Sequence, residues 1–469
     1  MKNSRLYVVL QALSPPKHNA FSKFLASPYF NTREDVIQLY QYLYQHINEN
    51  QDLAKEEAFS YTYPEEVQYD DTRMRLCMSY LNKLLEKFLT IEHALQEKTE
   101  TAWHLHQALW KLELNELADK SLDRFIHDHE KENLRNADFW NWKYQLNFEK
   151  IYRSDAQAQL SSLPLQSIVD TLDISFISKK LRQVCLLLNR KAVYQTDFEP
   201  GLMEGVLHLI DEKKWLQYPA ISVYYFAFLS LSERQDENHF IKFKKELFEF
   251  GNQFPPAELH QLHLLAINYC VQKINEGNLD YFQEVLDLYK EGLEKETLIH
   301  NGILSRFTYY NIVVAALKTG DFNWAEWFIP TYKNRLEKKY RDSAFSFNLA
   351  RLHYSKGNKD DALSLLQKAN YRDLLLNLAA KTLAMKIYYE TKAHELLQSH
   401  LEAMKKYISR KHVTGNRKDN YLNIIKMTQG LINLNFYDKK AIENFRQKIN
   451  QTEPLTEKEW LLEQLETLH

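Results

Sequence analysis

The chain has 469 residues but only 10 glycines and 11 prolines, against average usage of about 7% and 5%. Turn residues this scarce argue against a sheet protein, and Leu-, Lys-, Glu- and Gln-rich text points to an all-α fold. Sixty basic residues against 62 acidic ones leave a formal net charge of −2, so no global field draws the chain to nucleic acid or an anionic membrane.

Residues 1–98 read as a separate N-terminal helical module. Leu6–Leu13 is expected as a short helix ended by Ser14-Pro15-Pro16, and Asn19–Ala26 as a second. Proline fixes its own φ and biases the residue before it away from helix, so Ser27-Pro28-Tyr29-Phe30-Asn31 reads as a turn. A third helix, capped by Thr32, carries the stripe Val36, Leu39, Tyr40, Leu43, Ile47. A polar, aperiodic stretch follows to Tyr69. Asp70 or Asp71 then starts a strongly amphipathic helix through Leu76, Tyr80, Leu84, Phe88 and Ile91. Lys2 and Arg5 precede the apolar run Leu6–Leu10, but Gln11 and the prolines cut it short, so no export signal is expected.

Residues 99–254 continue as helix pairs with no glycine to mark them. Trp103–Leu114 with Leu117–Glu130 looks like one degenerate unit. Phe139–Tyr152 is too aromatic for one face, and Val184–Leu188 marks a buried helix inside Thr171–Tyr194. Pro219–Leu231 and Phe240–Phe250 form another pair. The longest apolar stretch, Ile221–Leu231, is interrupted by serines and far below the ~20 residues a membrane span needs.

Residues 255–411 repeat. Gly277, Gly320 and Gly357 are 43 and 37 residues apart. Nine residues before them stand Asn268, Asn311 and Asn348. Directly after them come Asn278, Asp321 and Asn358; five after, Phe282, Ala325 and Ala362; nine after, Leu286, Ile329 and Leu366. Self-similarity at roughly 20–50 residues marks stacked repeats, in which each unit packs only on its neighbours. In one unit Tyr309, Ile312, Val313 and Ala316 share a helix face, Gly320 ends that helix in the left-handed region, and Asp321 caps the next. A fourth unit, Lys381–Lys406, keeps the apolar spacing with Thr391 at the glycine position.

This pattern resembles the tetratricopeptide family, over about a quarter of the chain. The match is fullest in Phe345–Ala369; Leu264–Tyr289 departs from it with Phe282 where the family favours alanine. The resemblance implies a right-handed superhelical stack of antiparallel helix pairs, an α-solenoid whose concave face binds a segment of another protein. Carried over, its groove positions are Asn268 with Val271, then Tyr310, Asn311, Val314 and Leu317, then Phe347, Asn348, Arg351 and Tyr354. The family's carboxylate clamp needs a lysine one before the asparagine; Ile267, Tyr310 and Phe347 stand there, so chaperone-tail binding is not expected. "FLASPYFN" followed by "YDDTRMRLCMSYLNKLLEKFL" is similar to the start of bacterial helical-repeat proteins, a likeness that brings no activity with it.

Residues 412–469 are expected to close the stack. Pro454-Leu455 and Thr456-x-x-Glu459 read as a capping box opening a last helix, with Trp460, Leu461 and Leu465 inward.

Chemistry is sparse. No phosphate-binding glycine loop, dinucleotide fingerprint or nucleophile elbow is present. His394-Glu395-Leu396-Leu397-Gln398 has glutamine where a second zinc ligand belongs, and His400 lies roughly 240° around the helix from His394. His104/His106 and His127/His129 diverge by about 200°, so neither pair converges on one ion. Cys77, Cys185 and Cys270 are expected as free, buried thiols in a reducing compartment. One charge cluster stands out: Lys405, Lys406, Arg410, Lys411, Arg417 and Lys418, a solvated helix end or an anion contact.

The expectation is a cytoplasmic, non-enzymatic scaffold or adaptor without cofactor or metal. Its protein partner is of unknown identity and its oligomeric state is open. Two alternatives stay beside it. In one, residues 1–98 hold the partner and the helical stack is a spacer; in the other, the Lys405–Lys418 cluster binds an anion or nucleic acid.

Overall fold

The computed structural model describes residues 4–49, 54–153, 165–194, 197–368, 373–411, 415–435 and 437–467, except for the side chains of 48, 49, 192–194, 416 and 417. Among these residues it is all-α. Two compact units divide the chain: Met1–Glu132 with Trp142–Val169, and Asn133–Asn141 with Asp170–His469.

The first unit begins α1 (Arg5–Ala12), α2 (Pro15–Ala26), α3 (Glu34–Glu49), α4 (Lys55–Thr62), α5 (Asp71–Gln96), α6 (Lys98–Lys111) and α7 (Asn115–Glu130). Residues from α1 to α5 close a core of their own around Leu10, Phe21, Leu39, Phe59, Leu81 and Phe88. Asp70 caps α5 by accepting the Thr72 and Arg73 backbone N–H groups. Two expectations need correction. Pro15 does not merely end α1: it occupies the first turn of α2, where its missing N–H costs nothing. The stretch before Tyr69 contains α4, whose Ala58 and Phe59 are buried; eight residues hold too few apolar positions to show a period.

Both units draw residues from α8 (Ala137–Arg153) and α9 (Leu165–Tyr194). The second unit continues with α10 (Met203–Lys213), α11 (Pro219–Ser232), α12 (Glu237–Phe250), α13 (Pro256–Asn275), α14 (Tyr281–Glu294), α15 (Arg306–Lys318), α16 (Phe322–Tyr332), α17 (Arg341–Ser355), α18 (Lys359–Lys368), α19 (Leu374–Glu390), α20 (His394–Arg410), α21 (Asn416–Ile432), α22 (Lys439–Gln451) and α23 (Lys458–Glu466). A two-residue hairpin, β1 (Ile299–His300) against β2 (Ile303–Leu304), bridges α14 to α15. Helices pack as neighbouring pairs, α11 on α12, α13 on α14, α17 on α18, α19 on α20, and α15, α17 and α19 also lie side by side. Burial of Tyr224, Tyr269, Tyr309 and Phe328 forms the long core of this unit.

One turn recurs. Gly277, Gly320 and Gly357 have φ of 98°, 76° and 84°. At each, the glycine N–H donates to the carbonyl three residues back and the next N–H to the carbonyl five back, as in Gly320 to Leu317 at 3.3 Å and Asp321 to Ala316 at 2.9 Å. This pair of bonds satisfies the helix's last orphan carbonyls. Asp321 then accepts the Trp324 N–H and starts α16. The fourth turn has the same bonds, but its left-handed residue is Lys392 (φ 58°), not Thr391. The unit's register therefore sits one residue later than the spacing implies, because a lysine there hides the signal a glycine would give. Leu397 and Leu401 then match Ala325 and Ile329 as buried contacts five and nine residues on. In the first unit α6 and α7 share the turn, with Glu113 (φ 61°) in the left-handed place and Ala118 and Leu122 buried beyond it.

Candidate functional site

Counting on a helix of 3.6 residues per turn, positions i, i+4, i+7 and i+8 share a face. On α15 these are Tyr310, Val314, Leu317 and Lys318; on α17, Phe347, Arg351, Tyr354 and Ser355. With the corrected register, Thr382 and Lys386 take the first two places on α19. All ten line one cleft of ≈ 550 Å³ in the second unit. Its other wall is the segment Thr456–Trp460 with Glu463, at the start of α23.

The floor is aromatic and cationic. Tyr310 and Phe347 stack at 5.9 Å, nearly parallel at 9°. The Arg351 guanidinium lies over the Tyr310 ring at 4.8 Å and near the Phe347 ring at 6.0 Å. Its Nη1 is buried and has no hydrogen-bond acceptor among the described residues. Lys386 stands over the Tyr354 ring at 5.1 Å and the Trp460 ring at 5.7 Å.

The C-terminal wall is tied down by acids. Lys386 Nζ meets Glu457 at 2.7 Å, and Lys318 Nζ meets Glu459 at 3.0 Å. Trp460 is buried and donates its indole N–H to Glu390 Oε1 at 2.7 Å. Tyr354 donates its hydroxyl to the same oxygen, and Lys359 pairs with the other at 2.9 Å. Burial alone would raise the Glu390 carboxyl, but the hydrogen bonds from Tyr354, Lys359 and Trp460 outweigh it and hold it below the ordinary glutamate range. Burial, and then the same carboxylate, push the Tyr354 phenol well up. The expected capping box is not formed. The helix starts at Lys458, Glu457 is left-handed at φ 56° and makes no side-chain cap, and the two acids bind lysines instead. The ion pairs with α15 and α19 decide this, and no local spacing announces them.

The expected groove residues separate. Tyr310, Val314, Leu317, Phe347, Arg351 and Tyr354 share the cleft. The asparagines do not line it. Asn268 donates to Asn189 Oδ1 at 3.0 Å. Asn311 is exposed beside the Tyr289 hydroxyl. Asn348 is buried and donates its side-chain amide to the Ala344 carbonyl at 2.8 Å, one turn back on its own helix. Lys318, Thr382, Lys386, Glu390 and the α23 wall were not anticipated; the Lys392 register would have pointed to Thr382 and Lys386.

Of the basic cluster, Lys405, Lys406, Arg410, Lys411 and Lys418 are exposed around the end of α20 and the start of α21, and Lys405 donates to Gln429 at 3.0 Å. The Arg417 side chain and His412 lie outside the described residues. His400 Nε2 contacts the Lys381 carbonyl at 2.8 Å, and among the described residues no three His, Cys, Asp or Glu gather as a metal site would need. The three cysteines are free and buried. No helix among the described residues is long and apolar enough to cross a membrane.

No protein-family model matches the chain, and no curated protein matches it significantly. The cleft offers stacking surfaces, apolar side chains and charges of both signs.

Proposed function

We propose that this chain is a non-enzymatic, cytoplasmic scaffold. Its helix pairs continue as a tetratricopeptide-like superhelix, and its cleft on α15, α17 and α19 holds a segment of a partner protein. The observation that supports this is positional: the same i, i+4 face on three successive first helices lines one cleft. A repeated face lays out side-chain contacts at regular intervals, which suits a chain segment better than a compact metabolite.

The test is a phage-displayed dodecapeptide library selected on the full chain, with the selected peptides measured by fluorescence anisotropy. Val314→Glu places an extra charge on the apolar part of the floor and is expected to weaken the selected peptides at least tenfold while the melting curve holds. Selected peptides that bind Val314→Glu as tightly as wild type, or a library that yields no binder, would overturn the groove reading.

A further inference from the structure

The i+4 position of the repeat face already binds a carboxylate once. On α19 it is Lys386, and the acid is Glu457 of the chain's own C-terminal segment, 2.7 Å away. Beside it, on α15, Lys318 holds Glu459 of the same segment at 3.0 Å. On α17 the i+4 position is Arg351. It lines the same cleft, and no ion pair to it occurs among the described residues.

We propose that Arg351 is the anchor for an acidic side chain of the partner, so that the cleft selects a protein segment carrying Asp or Glu next to an apolar residue. This deepens the groove reading and rests on it. The guanidinium is oriented before any ligand arrives, since the Tyr310 and Phe347 rings hold it from one side. A planar fork so placed pairs with a carboxylate through two parallel N–H···O bonds. The apolar neighbours Val314 and Leu317 lie one helix away in the same cleft, which places the ligand's apolar side chain adjacent to its acid. The chain's own Glu457-Lys458-Glu459-Trp460 has this composition, acids followed by an aromatic, and is seated against the same face. A basic side chain is disfavoured at this position, because it would set like charge against the Arg351 guanidinium.

The experiment uses the full chain and the dodecapeptides from the library above, each synthesised with an amidated C-terminus. Binders are expected to carry Asp or Glu. Changing that acid to its amide should weaken binding to wild type at least tenfold. Arg351→Gln should weaken the acidic peptide by a similar factor and leave the amide form within twofold, and Arg351→Lys should restore part of the loss. If Arg351→Gln melts early, the wild-type comparison of acid against amide still decides the question. Binders that are neutral or basic, yet sensitive to Val314→Glu, would overturn the acidic class and leave the groove standing. Binding that follows a free C-terminal carboxylate instead of the side-chain acid would also overturn it.

Discussion

Glu390 joins three elements around the cleft, so replacing it tests the reading of the C-terminal wall. In Glu390→Ala the Trp460 indole N–H and the Tyr354 hydroxyl lose their common acceptor. Each orphaned buried donor costs about 1–3 kcal/mol. Lys359 keeps about a third of its side chain in solvent and can rehydrate, so its share is small. The sum is about 3 kcal/mol, or roughly a hundredfold in a local opening equilibrium. Because a chain of this length need not unfold in one step, the measurement is hydrogen exchange of the α23 amides, not a global melt. Glu390→Gln keeps an acceptor oxygen and should lose only about 1 kcal/mol. The sign with pH follows from the lowered carboxyl. A depressed folded value stabilises the fold above the ordinary 4.5, and that stability is lost as pH falls through the lower folded value. The difference between wild type and Glu390→Ala should therefore be full at pH 7 and shrink below about pH 4.5. An α23 protection factor in Glu390→Ala within threefold of wild type at pH 7 would refute the account.

Other consequences follow from single positions. Lys392→Gly relieves a left-handed lysine and should stabilise the α19–α20 turn by about 0.5–1 kcal/mol, read as slower exchange of the Lys392 and Ala393 amides; a loss would mean the turn is not as described. Gly430→Ala would put its Cβ 2.6 Å from the Phe445 ring and should cost about 1–3 kcal/mol in urea unfolding of the C-terminal core. Glu258 accepts from Tyr224 at 2.9 Å and Asn136 at 3.0 Å while buried, so Glu258→Ala should destabilise the second unit by about 1–3 kcal/mol for each orphaned donor in denaturant titrations. Burial pushes the Cys77 thiol up to about 11 and the Cys185 and Cys270 thiols higher, so a thiol reagent at pH 8 should label none of the three until denaturant is added.

Period and punctuation in the sequence were enough to determine the helical class, most helix positions, and the three glycine turns, because each depends on residues within one turn or one helix of each other. The family resemblance, carried over position by position, named six of the residues that line the cleft. Local logic stopped wherever a distant group decides the outcome. Lys392 and Glu113 occupy left-handed places that only glycine would advertise. Asn348 looks like a ligand contact until its burial against its own helix is seen. Thr456 and Glu459 read as a capping box, yet Glu459 and its neighbour Glu457 bind lysines 141 and 71 residues away. Which acids neutralise which cations is set by the stacking of α15, α17, α19 and α23, since ion pairing depends on distance in space and no spacing along the chain encodes it.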